Sequence, residues 1–225
     1  MVALQTKLVV FDLDGTLIDS AQTVTNILNE IRFDLGKPSL EYKRLIPWLS
    51  LGGEELMAAA LEVSPIDTIH YLKKFRTLYF EKPTDKATVY PWVSSTLSSI
   101  ESMDIHLAIC TNKPRVLAEK ILHETNLAKF FSFMNAGGDL KSKKPNRVNL
   151  DACLNNYKLK SVQSLLVGDS TVDQRLAANT GVPFIFFKPG YDDGVDEARA
   201  AFSINSHSEL ICHLKNNALS NMVIS

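Results

Sequence analysis

The sequence predicts an α/β fold, with a doubly wound, mostly parallel sheet and a helical segment inserted after the first strand. Three observations carry that expectation. Five short apolar runs mostly lack the polar–apolar alternation of a half-exposed sheet, which is the pattern of strands covered on both faces. Helix-like stretches separate the later runs, as in parallel βαβ units. Between positions 19 and 86 no strand pattern is found, and apolar residues recur only at helical spacing.

In chain order, Leu8–Phe11 is the first buried strand. Val24, Ile27, Leu28, Ile31 and Leu35 then mark one helix, and Ile66, Ile69, Leu72, Phe75 and Leu78, with Tyr79 beside them, mark another. Gly52-Gly53 precedes a third helical run, Glu54–Glu62. About 65 helical residues are too many for a crossover connection. They read as an inserted helical domain, 19–86, which leaves a discontinuous core domain of 1–18 and 87–225. Leu107–Cys110, Phe131–Met134, Leu165–Val167 and Phe184–Phe187 supply the remaining strands. Between them Val116-Leu117 with Ile121-Leu122, Val148 with Leu150, Ala152 and Leu154, and Leu176 to Gly181 read as helices, the last stopped by its glycine.

Composition excludes several classes of function. Twenty-four basic against 25 acidic residues leave a net charge of −1, so nothing draws the chain to nucleic acid or to an anionic membrane. At 45% hydrophobic and 22% charged residues this is an ordinary globular chain rather than a disordered one. No apolar run approaches the roughly 18 residues of a membrane span. Lys7 and Asp12 interrupt the N-terminal apolar stretch, which is unlike a signal peptide. Cys110, Cys153 and Cys212 are widely spaced and odd in number, so buried free thiols are expected rather than disulfides or a zinc site. A cytoplasmic monomer or homodimer is the expectation.

The sharpest chemical feature is Asp12-Leu13-Asp14-Gly15-Thr16, directly after a buried strand. Such an arrangement arises by chance in about one chain in several hundred at average residue frequencies. The carboxyl end of a parallel strand is where open α/β sheets bind ligands. Three further polar clusters follow in the same manner: Thr111-Asn112-Lys113-Pro114, Lys141-Ser142-Lys143-Lys144-Pro145, and Gly168-Asp169-Ser170-Thr171-Val172-Asp173. Each alone could be a capped turn or a solvated loop. Together they are several strand-to-helix loops that converge on one crevice.

This constellation resembles the haloacid dehalogenase-like superfamily of phosphotransferases, over nearly the whole chain. The four motifs are Asp12-x-Asp14-Gly15-Thr16, Thr111-Asn112, Lys144-Pro145, and Gly168-Asp169-Ser170-x-x-Asp173 with Ala177-Ala178 and Gly181 after it. The insert is similar to the family's helical cap, and the core to its Rossmann-like sheet. Within the superfamily the likeness is to phosphoglycolate phosphatases. It rests on Thr111–Pro114, Gly137-Gly138-Asp139, Lys143–Pro145, Pro189-Gly190-Tyr191 and the cap segment Trp48–Met57. The acidic pair Glu54-Glu55 is unexpected near an anionic substrate.

The residue types suit phosphoryl transfer. Asp12 can act as nucleophile and split one hard step into two. Asp14 can protonate the leaving alkoxide and then deprotonate water, with a proton held there by crowding of other carboxylates. Thr111 and the backbone N–H of Asn112 can donate to phosphoryl oxygens, and Gly15 permits a tight turn close to phosphate. Asp12, Asp169 and Asp173 bring three negative charges and the substrate about two more, against one from Lys144; a Mg²⁺ ion restores the balance. The resemblance implies Asp12, the backbone carbonyl of Asp14, and Asp169 as direct ligands. Asp173 would bind the metal through water or orient Lys144.

The expected activity is therefore Mg²⁺-dependent hydrolysis of a small phosphate monoester, with Pro47–Glu55 contacting the leaving group. A phosphosugar phosphatase or mutase of the same superfamily is the alternative. A receiver-like signalling module is the alternative of another class, but such modules lack an inserted cap. The five histidines form no ligand pattern, and Trp48 and Trp92 are expected to be packing residues.

Overall fold

The computed structural model describes residues 6–222. Its six described strands form one parallel sheet in the order β3-β2-β1-β4-β5-β6. They are β1 (Leu8–Phe11), β2 (His106–Pro114), β3 (Phe133–Gly137), β4 (Ser164–Gly168), β5 (Phe184–Phe187) and β6 (Phe202–Ile204). Between β1 and β2 run α1 (Ala21–Asp34), α2 (Ile46–Leu49), α3 (Gly53–Leu61), α4 (Pro65–Glu81) and α5 (Val93–Glu101). The later helices are α6 (Arg115–Glu124), α7 (Val148–Tyr157), α8 (Thr171–Thr180) and α9 (His207–Met222). No described helix is long and apolar enough to cross a membrane.

Register places the site. Phe11 pairs with Ile109 of β2 on one side and with Val167 of β4 on the other. Asp12, Cys110-Thr111 and Gly168-Asp169 therefore stand at one level, beside the point where strand order reverses. That is the crevice in which open α/β sheets take ligands. β1 is buried at every residue, because helices cover both faces of the sheet. α8 is held at both ends. Its N-cap Ser170 accepts from the Asp173 N–H, a contact worth about 1 kcal/mol, and Gly181 closes it at φ +69°.

One apolar cluster lies on each side of the sheet. The first runs from Val9, Phe11 and Ile109 into the insert, through Leu13, Leu17, Ile27, Leu56 and Phe75. The second joins Leu8, Val10, Leu166, Leu176 and Phe186. The chain leaves for the insert and returns from it at a single place. Ile18 bridges Val89 in antiparallel fashion. The Asp19 N–H donates to Thr88 O at 2.7 Å, and the Tyr90 N–H to Leu17 O at 3.0 Å.

Several expectations are corrected here. The third strand begins at Phe133, two residues later than its apolar run. Phe131 instead packs edge-on against Phe11, with ring centroids 6.4 Å apart. The edge strand β6 is a three-residue Phe-Ser-Ile segment, too short to stand out as a pattern. α5 was also missed, although Val93, Leu97 and Ile100 are buried at helical spacing. Cys212 is exposed, while Cys110 and Cys153 are buried. Trp92 is 63% exposed, so it is no packing residue.

Candidate active site

Asp12 stands just past β1 and its N–H donates to Val167 O at 3.0 Å, so the β1–β4 ladder aims it into the crevice. Its side chain is buried, and Oδ1 lies 2.9 Å from Lys144 Nζ. That contact is an ion pair without hydrogen-bond alignment, which leaves Asp12 Oδ1 a buried oxygen with no hydrogen-bond donor. Lys144 Nζ donates to Asp173 Oδ1 at 2.7 Å, and the Ser170 hydroxyl donates to Asp173 Oδ2 at 2.6 Å. Lys144 is 2% exposed. Burial works against its charge, but Asp12 and Asp173 outweigh burial and hold the ammonium protonated.

Asp169 is held from both sides. The Thr16 hydroxyl donates to its Oδ1 at 2.8 Å and the Tyr191 N–H to its Oδ2 at 2.8 Å. Gly15 serves this packing. At φ +79° it takes a left-handed turn, and an added Cβ would run into the Asp169 carboxylate and the Tyr191 ring. Asp12, Asp169 and Asp173 each present an oxygen, all within 4.8 Å of one another. Burial pushes the Asp12 carboxyl up to about 7 against the pull of Lys144, and Asp173 adds to the rise. Burial first, then Asp173 and Asp12, push Asp169 well above the usual carboxylate range. Three buried acids share one ammonium. Oxygen donors, excess negative charge and an orphaned carboxylate oxygen together fit a hard divalent cation such as Mg²⁺.

Asp14 behaves differently. Its carboxylate accepts from the Ser20 hydroxyl at 2.5 Å and from Lys113 Nζ at 3.0 and 3.1 Å. The crowding of carboxylates expected around Asp14 falls instead on Asp12 and Asp169. Asp12, Asp169 and Asp173 bring their carboxylates together, while Asp14, expected at the metal through its backbone carbonyl, pairs its carboxylate with Lys113. Lys113 Nζ also lies 4.2 Å from the centre of the Tyr79 ring, supplied by α4. Ser20 is fixed in turn, because its N–H donates to the Tyr191 hydroxyl at 2.9 Å.

Thr111 is buried, and its hydroxyl accepts from the Lys113 N–H at 3.2 Å. The Asn112 side chain is a clip. It accepts the Lys144 N–H at 2.8 Å and donates to the carbonyls of Ser50 at 3.2 Å and Lys144 at 3.3 Å. It joins the insert to the loop that carries the buried lysine. Lys143 differs from its neighbour. It is half-exposed and pairs with Glu55 at 2.5 Å, so the acidic residue that looked misplaced has a cation.

A cavity of about 740 Å³ opens between sheet and insert. Asp12, Asp14, Thr111 and Asn112 lie on its core side. Leu49 to Glu55 line it as expected, but Pro47 and Trp48 do not. A further contribution comes from α4, through Thr68, Leu72, Phe75, Arg76 and Tyr79. Sequence reasoning gave no role to Lys113, Ser20, Tyr191 or Tyr79. Two of them stand in quoted motifs, Thr-Asn-Lys-Pro and Pro-Gly-Tyr, which was the signal to follow. Among the histidines, His207 is buried against Phe187, with ring centroids 4.3 Å apart.

The family model for haloacid dehalogenase-like hydrolases matches residues 9–187. A Cupriavidus necator protein named phosphoglycolate phosphatase, plasmid, is 30% identical over 194 residues, 84% of this chain and 84% of the relative. A phosphoglycolate phosphatase of Pseudomonas syringae pv. tomato is 31% identical over 214 residues, 91% of this chain and 78% of the relative. Among solved structures, a predicted phosphoglycolate phosphatase from Haemophilus somnus superposes with a TM-score of 0.85. It is 23% identical and covers 93% of this chain and 98% of its own. That likeness is one of fold. The match over most of the sheet, together with the aspartates at the ends of β1 and β4, establishes that the chain belongs to the haloacid dehalogenase-like hydrolase family.

Proposed function

We propose that the chain is a magnesium-dependent phosphatase of small phosphate monoesters, with phosphoglycolate the leading substrate. The observation that carries this reading is Asp12, buried at the end of β1, set against Lys144 and above Asp169 and Asp173, with Asp14 lining the same cavity. The names of the curated relatives support the substrate.

Asp12 attacks phosphorus, and the bond from phosphorus to the leaving oxygen breaks. Asp14, which pairs with Lys113 as a carboxylate and must take up a proton before this step, gives that proton to the leaving oxygen. Water then attacks the aspartyl-phosphate on Asp12 and loses its proton to Asp14, and inorganic phosphate leaves. Lys144 faces the oxygens on which charge gathers, and Thr111 and the Asn112 N–H donate to them. Asp12, Asp169 and the backbone carbonyl of Asp14 would hold Mg²⁺, with Asp173 orienting Lys144 and reaching the ion directly or through water. Bound there, the ion supplies positive charge that lets one anion approach another. The helices within residues 19–86 act as a cap that shields this chemistry from bulk water.

A second reading is favoured by the cavity, which has more room than a two-carbon ester fills. A short phosphosugar is the substrate in that case. The test is a panel of phosphate esters assayed with Mg²⁺ and after chelation, with acid-quenched enzyme examined by mass spectrometry. Metal-dependent release of phosphate, and a phosphate on Asp12, are the expected results. Full activity in chelator, or phosphate trapped on another residue, overturns the reading.

A further inference from the structure

Three cations line the cavity: Arg76, Lys113 and Lys143. Lys143 is engaged by Glu55 at the rim, and Arg76 is exposed. Lys113 is the buried one, with its side chain 6% exposed. Its amine sits between the Asp14 carboxylate and the Tyr79 ring, where loop and insert meet.

Lys144 shows what a buried amine accommodates in this protein. It serves two carboxylates, Asp12 at 2.9 Å and Asp173 at 2.7 Å. Lys113 has one carboxylate, and its other neighbour is the neutral Tyr79, whose ring centre lies 4.2 Å away. An ammonium carries three donors, and Asp14 takes only part of that capacity. A buried cation on the wall of a substrate cavity, short of anionic partners, attracts an anion. The clustered acids Asp12 and Asp173 pair with Lys144, whereas Lys113 pairs with Asp14 and meets Tyr79 of the helices between β1 and β2. An anion bound at Lys113 is therefore not the transferring phosphate but a second group on the same molecule. Asp12 and Asp14 share one short loop, so the two anionic groups must be separated by a short spacer.

We propose that Lys113 is the specificity residue for a second anionic group, a carboxylate close to the phosphate, and that Tyr79 shapes its side of the subsite. This inference rests on the phosphatase reading and deepens it: the preferred ester is a phosphorylated short-chain acid, and the tail's charge selects it.

The experiment compares three esters of matched length: phosphoglycolate, ethyl phosphate and phosphoethanolamine. Wild-type enzyme should favour phosphoglycolate over ethyl phosphate by about ten- to hundredfold in kcat/KM, the worth of one charge-assisted hydrogen bond, and phosphoethanolamine should be the poorest. Lys113→Met should bring phosphoglycolate and ethyl phosphate to within about threefold of each other, and Lys113→Arg should restore part of the preference. Wild-type enzyme that hydrolyses all three esters equally overturns the subsite. So does a Lys113→Met variant that loses the same factor on each ester, because Lys113 then serves only Asp14 or the fold. Should Lys113→Met fail to fold, the wild-type ranking and the Lys113→Arg ratio decide alone. A wild type that hydrolyses none of the three, nor any other ester in the presence of Mg²⁺, overturns the phosphatase reading itself.

Discussion

Two lysines are buried beside this crevice, and they differ in what encloses them. Lys144 is enclosed by the core, with Asp12 from the end of β1 and Asp173 from α8. Lys113 is enclosed half by the core and half by the insert, with Asp14 on one side and Tyr79 on the other. Both are held charged, because neighbouring acids outweigh burial. The difference lies in completeness. Lys144 is surrounded by carboxylates and is a fixed part of the machinery. Lys113 is left with an aromatic face and an open cavity. A buried cation matched by anions holds a geometry, whereas one left partly unmatched recruits a ligand.

The largest effect expected is on the side of Lys144. Asp12→Asn should lower kcat by more than about a thousandfold, since an amide is a poor nucleophile, while the circular dichroism spectrum stays that of the wild type. A residual rate near wild type would place the nucleophile elsewhere. Lys144→Met should cost about 2.7–4 kcal/mol of transition-state stabilisation, or a hundred- to thousandfold in kcat. That loss should be the same for every ester, and this uniformity is what separates Lys144 from Lys113 in a kinetic comparison.

His207 sharpens the contrast from a third direction. It is 1% exposed, and burial drives its pKa down to about 4 against the backbone of Thr16 and Pro91. No acid compensates it, so it stays neutral where the lysines stay charged. The unfolded chain protonates this ring near its ordinary value of about 6.5. Between about pH 6.5 and 4 the unfolded state therefore binds more protons, and stability falls as pH falls. Asp12 and Asp169, raised by burial, act in the opposite sense over the same range, so the His207 share of roughly 3 kcal/mol is read as the difference in urea unfolding between wild type and His207→Phe across that range. The smallest effect belongs to Lys143. Its pair with Glu55 is half-exposed and worth at most about 1 kcal/mol. Lys143→Ala should change kcat/KM by less than about fivefold, and a loss equal to that of Lys144→Met would mean the wrong lysine carries the chemistry.

What could be read from the residues follows the range of the interactions. Leu8–Phe11 and Leu165–Val167 were legible as strands, because burial on both faces leaves an unbroken apolar run. Phe131 broke that rule by packing across onto Phe11 instead of entering β3. Asp12, Lys144, Asp169 and Asp173 were legible because each sits in a short local motif beside a strand end. The pair Lys113–Asp14 was not, since it spans 99 positions. Glu55 was misjudged for the same reason, because its cation lies 88 positions away.

The paired linkers at Ile18 and Val89 have a mechanical consequence. An insert tied by a single strand of chain can swivel about three axes. Two backbone legs joined by hydrogen bonds, Asp19 to Thr88 and Tyr90 to Leu17, remove much of that freedom. Ser20 follows directly on one leg, and it holds the Asp14 carboxylate and meets Tyr191, whose N–H holds Asp169. The pivot and the chemistry thus share parts. Asp14 is thus joined to the helices twice, through Ser20 beside the linker and through Lys113 against Tyr79 of α4, so the bearing of the acid and the seating of the helices are set by the same contacts.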